Sequence, residues 1–326
     1  MHAPYPYFGA KRTIAADVWS RLGSPKQYLE PFCGSAAILL AAPQAVSLEV
    51  IGDWSGFIAN FWRAVKYQPA KVAEWADYPV SHLDMGARHR WLMDQREAVG
   101  AALQEHDWPG NAQVAGYWLW GQCSWIGSGW CEWGKEAGKR VKDKIPHVSD
   151  AGMGIQAIGQ IPHVGNAGAG YDALMTSGGR TAWVWLHKLA ARLDRVRIIH
   201  GDWTRCLNHH FGANDTAVFL DPPYRAFEAV YGGGGKTADA VEAWARENAN
   251  LRIALCGHRG DYDLPGWDAV DWNRDSNTYS GTGTKDEECV WYSPACLPRM
   301  AWDLFSHVAI DPAEQRAIDA FAEPEP

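Results

Sequence analysis

Residues 218–224 read Val218-Phe219-Leu220-Asp221-Pro222-Pro223-Tyr224, a short apolar run followed by an acid, two prolines and an aromatic residue. So dense an apolar run is typical of a strand that is buried on both faces of a parallel sheet. The strand must end at the prolines, because Pro222 has no N–H to donate and Pro223 restricts the residue before it. Asp221 and Tyr224 are therefore predicted at the carboxyl end of a core strand, where open α/β sheets bind ligands.

A rigid carboxylate beside an aromatic ring suits a flat ligand that carries an amino group. The carboxylate of Asp221 and the carbonyl oxygen of Pro222 can accept hydrogen bonds from the amine, while Tyr224 stacks on the ring. The alternative is an ordinary strand-ending turn, because aspartate and proline are common in turns. The rest of the chain favours the ligand-binding interpretation.

A second strand-and-turn unit lies near the N-terminus, at residues 28–35. Its turn, Pro31-Phe32-Cys33-Gly34-Ser35, is rich in small residues that let a backbone approach a ligand, and it leads into a predicted helix with free N–H groups. The next predicted strand, residues 46–51, is followed by Asp53, which lies 23 residues after Glu30. An acid at about that distance holds ribose hydroxyls in nucleotide-binding α/β folds. Because the Gly-x-Gly-x-x-Gly pattern is missing, we expect a nucleoside ligand without a pyrophosphate.

The order of the predicted elements indicates one α/β domain that is interrupted by an insertion. Further strands are predicted at residues 196–200, 217–220, 251–256 and 288–292, with amphipathic helices between several of them. We expect a doubly wound, mostly parallel, Rossmann-like sheet. Its parts are predicted to be residues 1–67 and 179–300, with an inserted lobe at 68–178 and an acidic tail at 301–326.

Composition restricts the class of protein. Hydrophobic residues make up 47% of the chain and charged residues 21%, which is ordinary for a globular protein. No apolar run reaches the roughly 18 residues of a membrane helix, and the N-terminus lacks the features of a secretory signal. The seven cysteines are scattered, and His147 and His163 have no companion ligands at metal-binding spacing. We therefore expect no disulfide framework and no metal site, and a reducing cytoplasm as the location.

The predicted lobe concentrates the aromatic residues and a basic cluster. Many of the 19 tryptophans lie between residues 108 and 133, and the cluster that follows contains Lys135, Lys139, Arg140, Lys142 and Lys144. Because the net charge of the chain is −8, nucleic acid would have to bind in a local basic cleft. Aromatic side chains interleaved with basic residues suit nucleic-acid binding, because the rings can stack on nucleobases and the basic side chains can pair with phosphates. The alternative is a compact tryptophan-rich subdomain whose lysines face solvent.

Three segments, in this order, resemble the Dam-like family of DNA adenine methyltransferases. Tyr7-Phe8-Gly9-Ala10-Lys11 is similar to the family's N-terminal cofactor motif, and Glu30-Pro31-Phe32-Cys33-Gly34-Ser35 to its main S-adenosylmethionine loop. Asp221-Pro222-Pro223-Tyr224 matches its catalytic tetrapeptide. Asp53 stands where the family has a ribose-binding acid, and Gly201-Asp202-Trp203 resembles the segment that contacts the cofactor's adenine.

The resemblance implies methyl transfer from S-adenosylmethionine to the N6 amine of an adenine that is flipped out of double-stranded DNA, without a metal. The implied catalytic residues are Asp221, Pro222, Pro223 and Tyr224. The implied cofactor-binding residues are Tyr7, Phe8, Gly9, Lys11, Glu30, Pro31, Phe32, Gly34, Ser35, Asp53, Asp202, Trp203 and Asp221. The lobe is expected to bind DNA through Lys135, Lys139, Arg140 and Lys142.

Three points stay open in the sequence. Ala36 occupies the position where the family usually has a second glycine, and the alanine side chain requires a slightly wider turn. The acceptor could instead be the N4 amine of cytosine in DNA, or a base in RNA. A third possibility is a non-catalytic DNA-binding decoy that keeps the fold, although the intact tetrapeptide counts against it.

The basic cluster yields a testable prediction. Replacing both Lys139 and Arg140 with alanine is expected to weaken DNA binding and to reduce the slope of log K against log salt by about 2, since each phosphate contact contributes about 0.9. Titration of labelled duplex DNA at several salt concentrations measures both effects. An unchanged slope would mean that these side chains face solvent.

Overall fold

The computed structural model describes residues 1–5, 11–78, 81–105, 107–124, 130–131, 180–209, 215–225, 236–272 and 288–298. These residues form a seven-stranded sheet. Its strands are β1 (Gln27–Glu30), β2 (Leu48–Asp53), β3 (Val196–His200), β4 (Thr216–Leu220), β5 (Arg252–His258), β6 (Asp268–Trp272) and β7 (Glu288–Tyr292). Their order across the sheet is β3-β2-β1-β4-β5-β7-β6.

The sheet is mostly parallel, as predicted. β1 pairs in parallel with β2 and β4, and the pairs β2–β3 and β4–β5 are also parallel, whereas β7 runs antiparallel to both of its neighbours. The chain moves outward from β1 to β3 and then returns to β4 on the other side of β1. This reversal between β1 and β4 is the switch point at which doubly wound sheets form a ligand crevice. The predicted α/β class is confirmed, and the sheet is compatible with a Rossmann-like fold.

Helices cover the sheet and extend beyond it. They are α1 (Ala15–Leu22), α2 (Ala37–Leu40), α3 (Gly56–Tyr67), α4 (Pro69–Ala76), α5 (His82–Ala102), α6 (Ala112–Ser124), α7 (Arg180–Leu193) and α8 (Lys236–Glu247), together with 3-10 helices at Arg12–Ile14 and Trp203–His209. Ile14, Val18 and Leu22 recur at helical spacing and form a buried stripe on this part of the chain. The helix α1 ends at Gly23, whose φ of +68° is accessible to glycine.

The central strands are the most deeply buried part of the sheet. Every residue of β1 and of β4 is buried, which confirms the apolar run before Asp221 as a core strand. The strand β5 extends two residues beyond the predicted 251–256, so His258 reaches the carboxyl edge of the sheet. The strand β6 was not predicted, because Asp268 and Asp271 interrupt its apolar pattern. It lies at the edge of the sheet, where exposed charged residues are tolerated.

The described part of residues 68–131 is helical and shares the main hydrophobic core. Trp118 on α6 contacts Phe61 on α3, with ring centroids 5.5 Å apart, and both belong to the buried cluster that includes strand residues such as Phe219. The predicted lobe at 68–178 and the tail at 301–326 stay predictions, because residues 132–179 and 299–326 lie outside the described residues. Among the helices of the described ranges, none combines the length and the apolar character needed to span a bilayer.

A buried ion pair joins α7 to the sheet. Arg192 donates from Nη1 and Nη2 to the two carboxylate oxygens of Glu49, at 2.6 and 2.7 Å, and Nη2 also donates to the carbonyl oxygen of Leu39 at 3.0 Å. Glu49 lies on β2 and its side chain is fully buried. This fork therefore ties together α7, β2 and α2.

We expect Arg192→Met to lower the free energy of unfolding by about 3–5 kcal/mol, because it leaves the Glu49 carboxylate buried without its cation. Urea denaturation measures the loss. Arg195→Met is the matched control, since Arg195 is exposed and its replacement should change stability by less than about 0.5 kcal/mol. Equal effects of the two substitutions would contradict the structural role of the pair.

Candidate functional site

The loops after β1 and β4 meet at the switch point of the sheet. A small cavity at this edge is lined by Lys11, Glu30, Phe32, Gly34, Ser35 and Asp221, together with neighbouring apolar residues. The structure thus brings together two segments that are about 190 residues apart in sequence. With a volume of about 20 Å³, the cavity has room for roughly one water molecule. A nucleoside-sized ligand therefore requires some of the lining side chains to move.

A larger cavity, of about 330 Å³, lies against α4 and is lined in part by Lys71, Glu74 and Trp183. Its described lining includes none of the predicted site residues. We regard the smaller cavity as the candidate site, because it lies at the carboxyl ends of the parallel strands, where buried charged groups converge.

Backbone hydrogen bonds hold the loop after β1 at Gly34. The Gly34 N–H donates to Asp53 Oδ2 at 3.0 Å, and the Gly34 carbonyl accepts from Tyr5 Oη and from Trp62 Nε1, each at 3.0 Å. The φ of Gly34 is +44°, in the left-handed region that favours glycine. The loop is therefore fixed from three sides.

Asp53 braces this loop from the end of β2. Besides Gly34, it accepts the backbone N–H of Ser55 at Oδ1, at 2.8 Å. Burial raises the pKa of Asp53 to about 6, although these two hydrogen bonds act in the opposite direction. Each carboxylate oxygen keeps a further lone pair for a ligand hydroxyl. The ribose-binding role of Asp53 stays a prediction, and the structure places its carboxylate beside the loop after β1.

Ala36 occupies a left-handed conformation. Its φ is +50°, and its side chain is fully buried at the start of α2. For an L-residue this conformation costs about 1–2 kcal/mol. Ala36 thus adopts, at this energetic cost, a left-handed backbone conformation that glycine would adopt without strain.

Glu30 is a buried acid that is hydrogen-bonded to β1 and to α2. Its Oε2 accepts hydrogen bonds from Tyr28 Oη at 3.0 Å and from the Leu39 N–H at 3.1 Å. Burial raises the pKa of Glu30 from 4.5 to about 8, and the negative charges of Asp221 and Glu49 add to the rise, while the two hydrogen bonds oppose it. The carboxyl group is therefore mostly protonated at neutral pH, and a nearby cation would favour its ionisation.

Lys11 and Asp221 form the charged centre of the site. Lys11 Nζ lies 2.9 Å from Asp221 Oδ2, and the Lys11 side chain is only 4% exposed. Burial by itself lowers the pKa of Lys11, but the electrostatic influence of Asp221, Cys256 and Glu288, together with the hydrogen bond to Asp221, outweighs burial, so the pKa lies above its ordinary value. Lys11 is therefore a buried ammonium ion held by carboxylates.

The tetrapeptide after β4 is anchored by neighbours on its far side. The ring of Tyr224 meets the ring of His258 edge-on, with centroids 4.6 Å apart. Arg225 Nε donates to the carbonyl oxygen of Asp261 at 2.7 Å, and its guanidinium pairs with Asp239 and Glu242 on α8. Sequence reasoning missed His258 and Arg225, although Arg225 directly follows the tetrapeptide.

Gly201-Asp202-Trp203 lies at the end of β3. Asp202 is exposed, and its Oδ1 accepts the N–H of Thr204 at 3.0 Å, as in a helix cap. Trp203 is buried and stacks on Phe32, with ring centroids 6.1 Å apart. The structure thus joins Trp203 to the loop after β1 through Phe32, whereas the contact shown for Asp202 is a local cap. Trp54, which follows Asp53 and is 72% exposed, is an aromatic surface that sequence reasoning missed.

Several predicted site residues lie outside the described residues. They are Tyr7, Phe8, Gly9, Lys135, Lys139, Arg140, Lys142, His147 and His163.

Pro31 and Pro222 are buried beside Glu30 and Asp221, and Pro223 is half-buried. In the ranges that the structure covers, no group of three or more His, Cys, Asp or Glu side chains could hold a metal ion.

No protein-family model matches the chain, and no curated protein matches it either.

The raised pKa of Glu30 predicts how stability depends on pH. Between pH 4.5 and 8 the folded chain keeps a proton that the unfolded chain has lost, so this group makes stability fall as pH rises, by up to about 1.4 kcal/mol per unit. We expect Glu30→Gln to remove this decline between pH 6 and 8, a window that lies above the pKa of Asp53. Urea denaturation of both proteins across this window measures the difference, and parallel curves would refute the assignment.

Proposed function

We propose that the chain is an S-adenosylmethionine-dependent methyltransferase that acts on the N6 amine of adenine in double-stranded DNA. The observation that carries this proposal is the convergence of Glu30–Ser35 and Asp221–Tyr224 at one switch point. Both segments resemble motifs of the Dam-like family, and the proposal requires them to share one site. A cytoplasmic location follows from the same proposal.

The residues at the switch point suit the cofactor. Asp53 can accept hydrogen bonds from ribose hydroxyls, and Gly34 leaves room for close approach of a ligand beside it. The carboxylate of Asp221 favours a sulfonium cation nearby, and a cation close to Glu30 would favour ionisation of that buried acid, because opposite charges attract strongly where water is excluded. Bound S-adenosylmethionine supplies a methyl group whose carbon–sulfur bond breaks as the new nitrogen–carbon bond forms, leaving a neutral thioether.

The tetrapeptide would orient the acceptor. The lone pair of an exocyclic amine is delocalised into the base, so the amine is a poor nucleophile. Hydrogen bonds from the amine to Asp221 and to the Pro222 carbonyl favour a pyramidal nitrogen that points its lone pair at the methyl group. The surplus amine proton then leaves through Asp221 to water. Catalysis of this kind is mainly orientation and electrostatics.

Tyr224 would hold the flipped base. A base in a duplex has to leave the stack before its amine can reach Asp221, and an aromatic face offsets part of the lost stacking. His258 limits rotation of the Tyr224 ring through their edge-to-face contact. Adenine is favoured over cytosine by the family resemblance of the motifs and their order.

The direct test uses labelled S-adenosylmethionine, the full chain and unmethylated DNA, followed by digestion to nucleosides. We expect label in the deoxynucleoside of N6-methyladenine. Label in N4-methylcytosine, or in RNA but not in DNA, would keep the site chemistry and change the acceptor. If the chain binds the cofactor but transfers no methyl group to DNA or RNA, the result would favour the alternative of a non-catalytic DNA-binding decoy.

We expect Asp221→Asn to lower kcat by about 10³-fold, because a neutral amide orients and polarises the amine less well than a carboxylate does. The variant should still fold and bind duplex DNA. Asp215→Asn is the matched control, since it removes a carboxylate from a solvent-exposed pair with Lys26 and should leave kcat within about twofold. Wild-type turnover of Asp221→Asn would rule out the proposed mechanism.

A further inference from the structure

The candidate site continues past Asp221 along the far half of the sheet. On β7, Glu288 is paired directly with His258 of β5 on one side and with Trp272 of β6 on the other. Residues directly opposite each other in neighbouring strands project from the same face of a sheet. A row of three side chains, His258, Glu288 and Trp272, therefore lies at the carboxyl ends of the parallel strands, as Asp221 does. In sequence, His258 lies 30 residues before Glu288.

Two members of this row, Glu288 and Trp272, lie near the ammonium group of Lys11. Nζ is 2.9 Å from Asp221 Oδ2 and 3.9 Å from Glu288 Oε2, and it lies 5.3 Å from the ring centroid of Tyr224 and 5.9 Å from that of Trp272. Glu288 is itself buried. Among the described residues, the ammonium thus has one close carboxylate, a second one about 1 Å farther away, and two aromatic faces.

Asp221 and Tyr224 are also the groups to which the proposed reaction assigns the acceptor base. The Lys11 ammonium accordingly takes up space and hydrogen-bonding capacity that the acceptor amine needs, and the cavity around it has a volume of only about 20 Å³. Entry of a base therefore requires Lys11 to move away from Asp221. A buried ammonium that leaves one carboxylate needs another, because an unpaired charge in the interior is strongly unfavourable.

We infer that Glu288 is a positioning residue for methyl transfer, which receives the Lys11 ammonium when the acceptor amine displaces it from Asp221. A movement of about 1 Å would bring Nζ to hydrogen-bonding distance of Glu288. The exchange keeps the ammonium paired while Asp221 becomes available to the base. This inference rests on the proposed function and assigns to the same site a residue that the sequence motifs do not include.

The test compares the wild-type chain with Glu288→Gln and Glu288→Asp in steady-state methylation of duplex DNA, alongside direct titration of S-adenosylmethionine. We expect Glu288→Gln to raise the KM for DNA by about 10- to 100-fold, the cost of losing a charged hydrogen-bond partner. The dissociation constant of S-adenosylmethionine should change by less than about twofold. Glu288→Asp keeps the negative charge on a side chain that is one methylene shorter. Its KM for DNA should therefore lie between those of the wild-type chain and of Glu288→Gln. Asp268→Asn is the matched control, since it removes an ion-paired carboxylate from the opposite end of β6 and should leave the KM unchanged.

A merely structural role of Glu288 makes a different prediction. It would weaken cofactor binding and DNA binding together, and that result would overturn the inference. So would a wild-type KM in Glu288→Gln or, if that variant does not fold, in Glu288→Asp. Lys11→Met adds a second check, because Glu288→Gln should have no further effect on KM once the ammonium is gone. Absence of methyl transfer by the wild-type chain would remove the proposed function itself, and with it this inference.

Discussion

Parallel pairing of β1 with β4 is the constraint on which the site depends. Gln27, Tyr28 and Leu29 of β1 pair in register with Thr216, Ala217 and Val218 of β4, so the two strands end at the same edge of the sheet. Because the chain turns in opposite directions from these two strands, their loops diverge and leave a crevice. All other features of the site are arranged around that crevice. Asp53 supports one wall from β2, and His258 and Glu288 extend the other wall from β5 and β7.

Two buried acids, Glu30 and Glu288, and the half-buried Asp221 determine the electrostatic character of the crevice. Glu30, Asp221 and Glu288 lie close enough to influence one another or Lys11, and burial raises the pKa of Glu30 to about 8. A cation that enters the crevice would favour the ionised form of Glu30, which is the environment that the proposed sulfonium donor requires. The same groups explain why the lysine at the centre stays charged although it is buried. Under the proposed function, the same arrangement would attract the sulfonium cation and orient the acceptor amine, in addition to retaining Lys11.

The sequence-based predictions failed where local pattern carries little information. The strand β6 contains two aspartates and was missed, because an edge strand does not need an apolar pattern on either face. Its last residue, Trp272, nevertheless faces the Lys11 ammonium. Glu288 was predicted as the first residue of a strand and given no role, since a single glutamate carries no motif. Its proximity to Lys11 results from pairing between β5 and β7, which no short window of sequence encodes.

Local sequence was sufficient for the parallel strands of the sheet and for the ends of the central ones. An apolar run followed by two prolines specifies a buried strand and its end, because both properties depend on neighbouring residues. The same reasoning placed the loop at Gly34 and the acid at Asp53. Tertiary structure alone decided which side chains surround Lys11, since those distances depend on strand order and register over more than 270 residues. Which strands pair depends on how the whole sheet is buried, and the sequence of a single strand does not specify its neighbours.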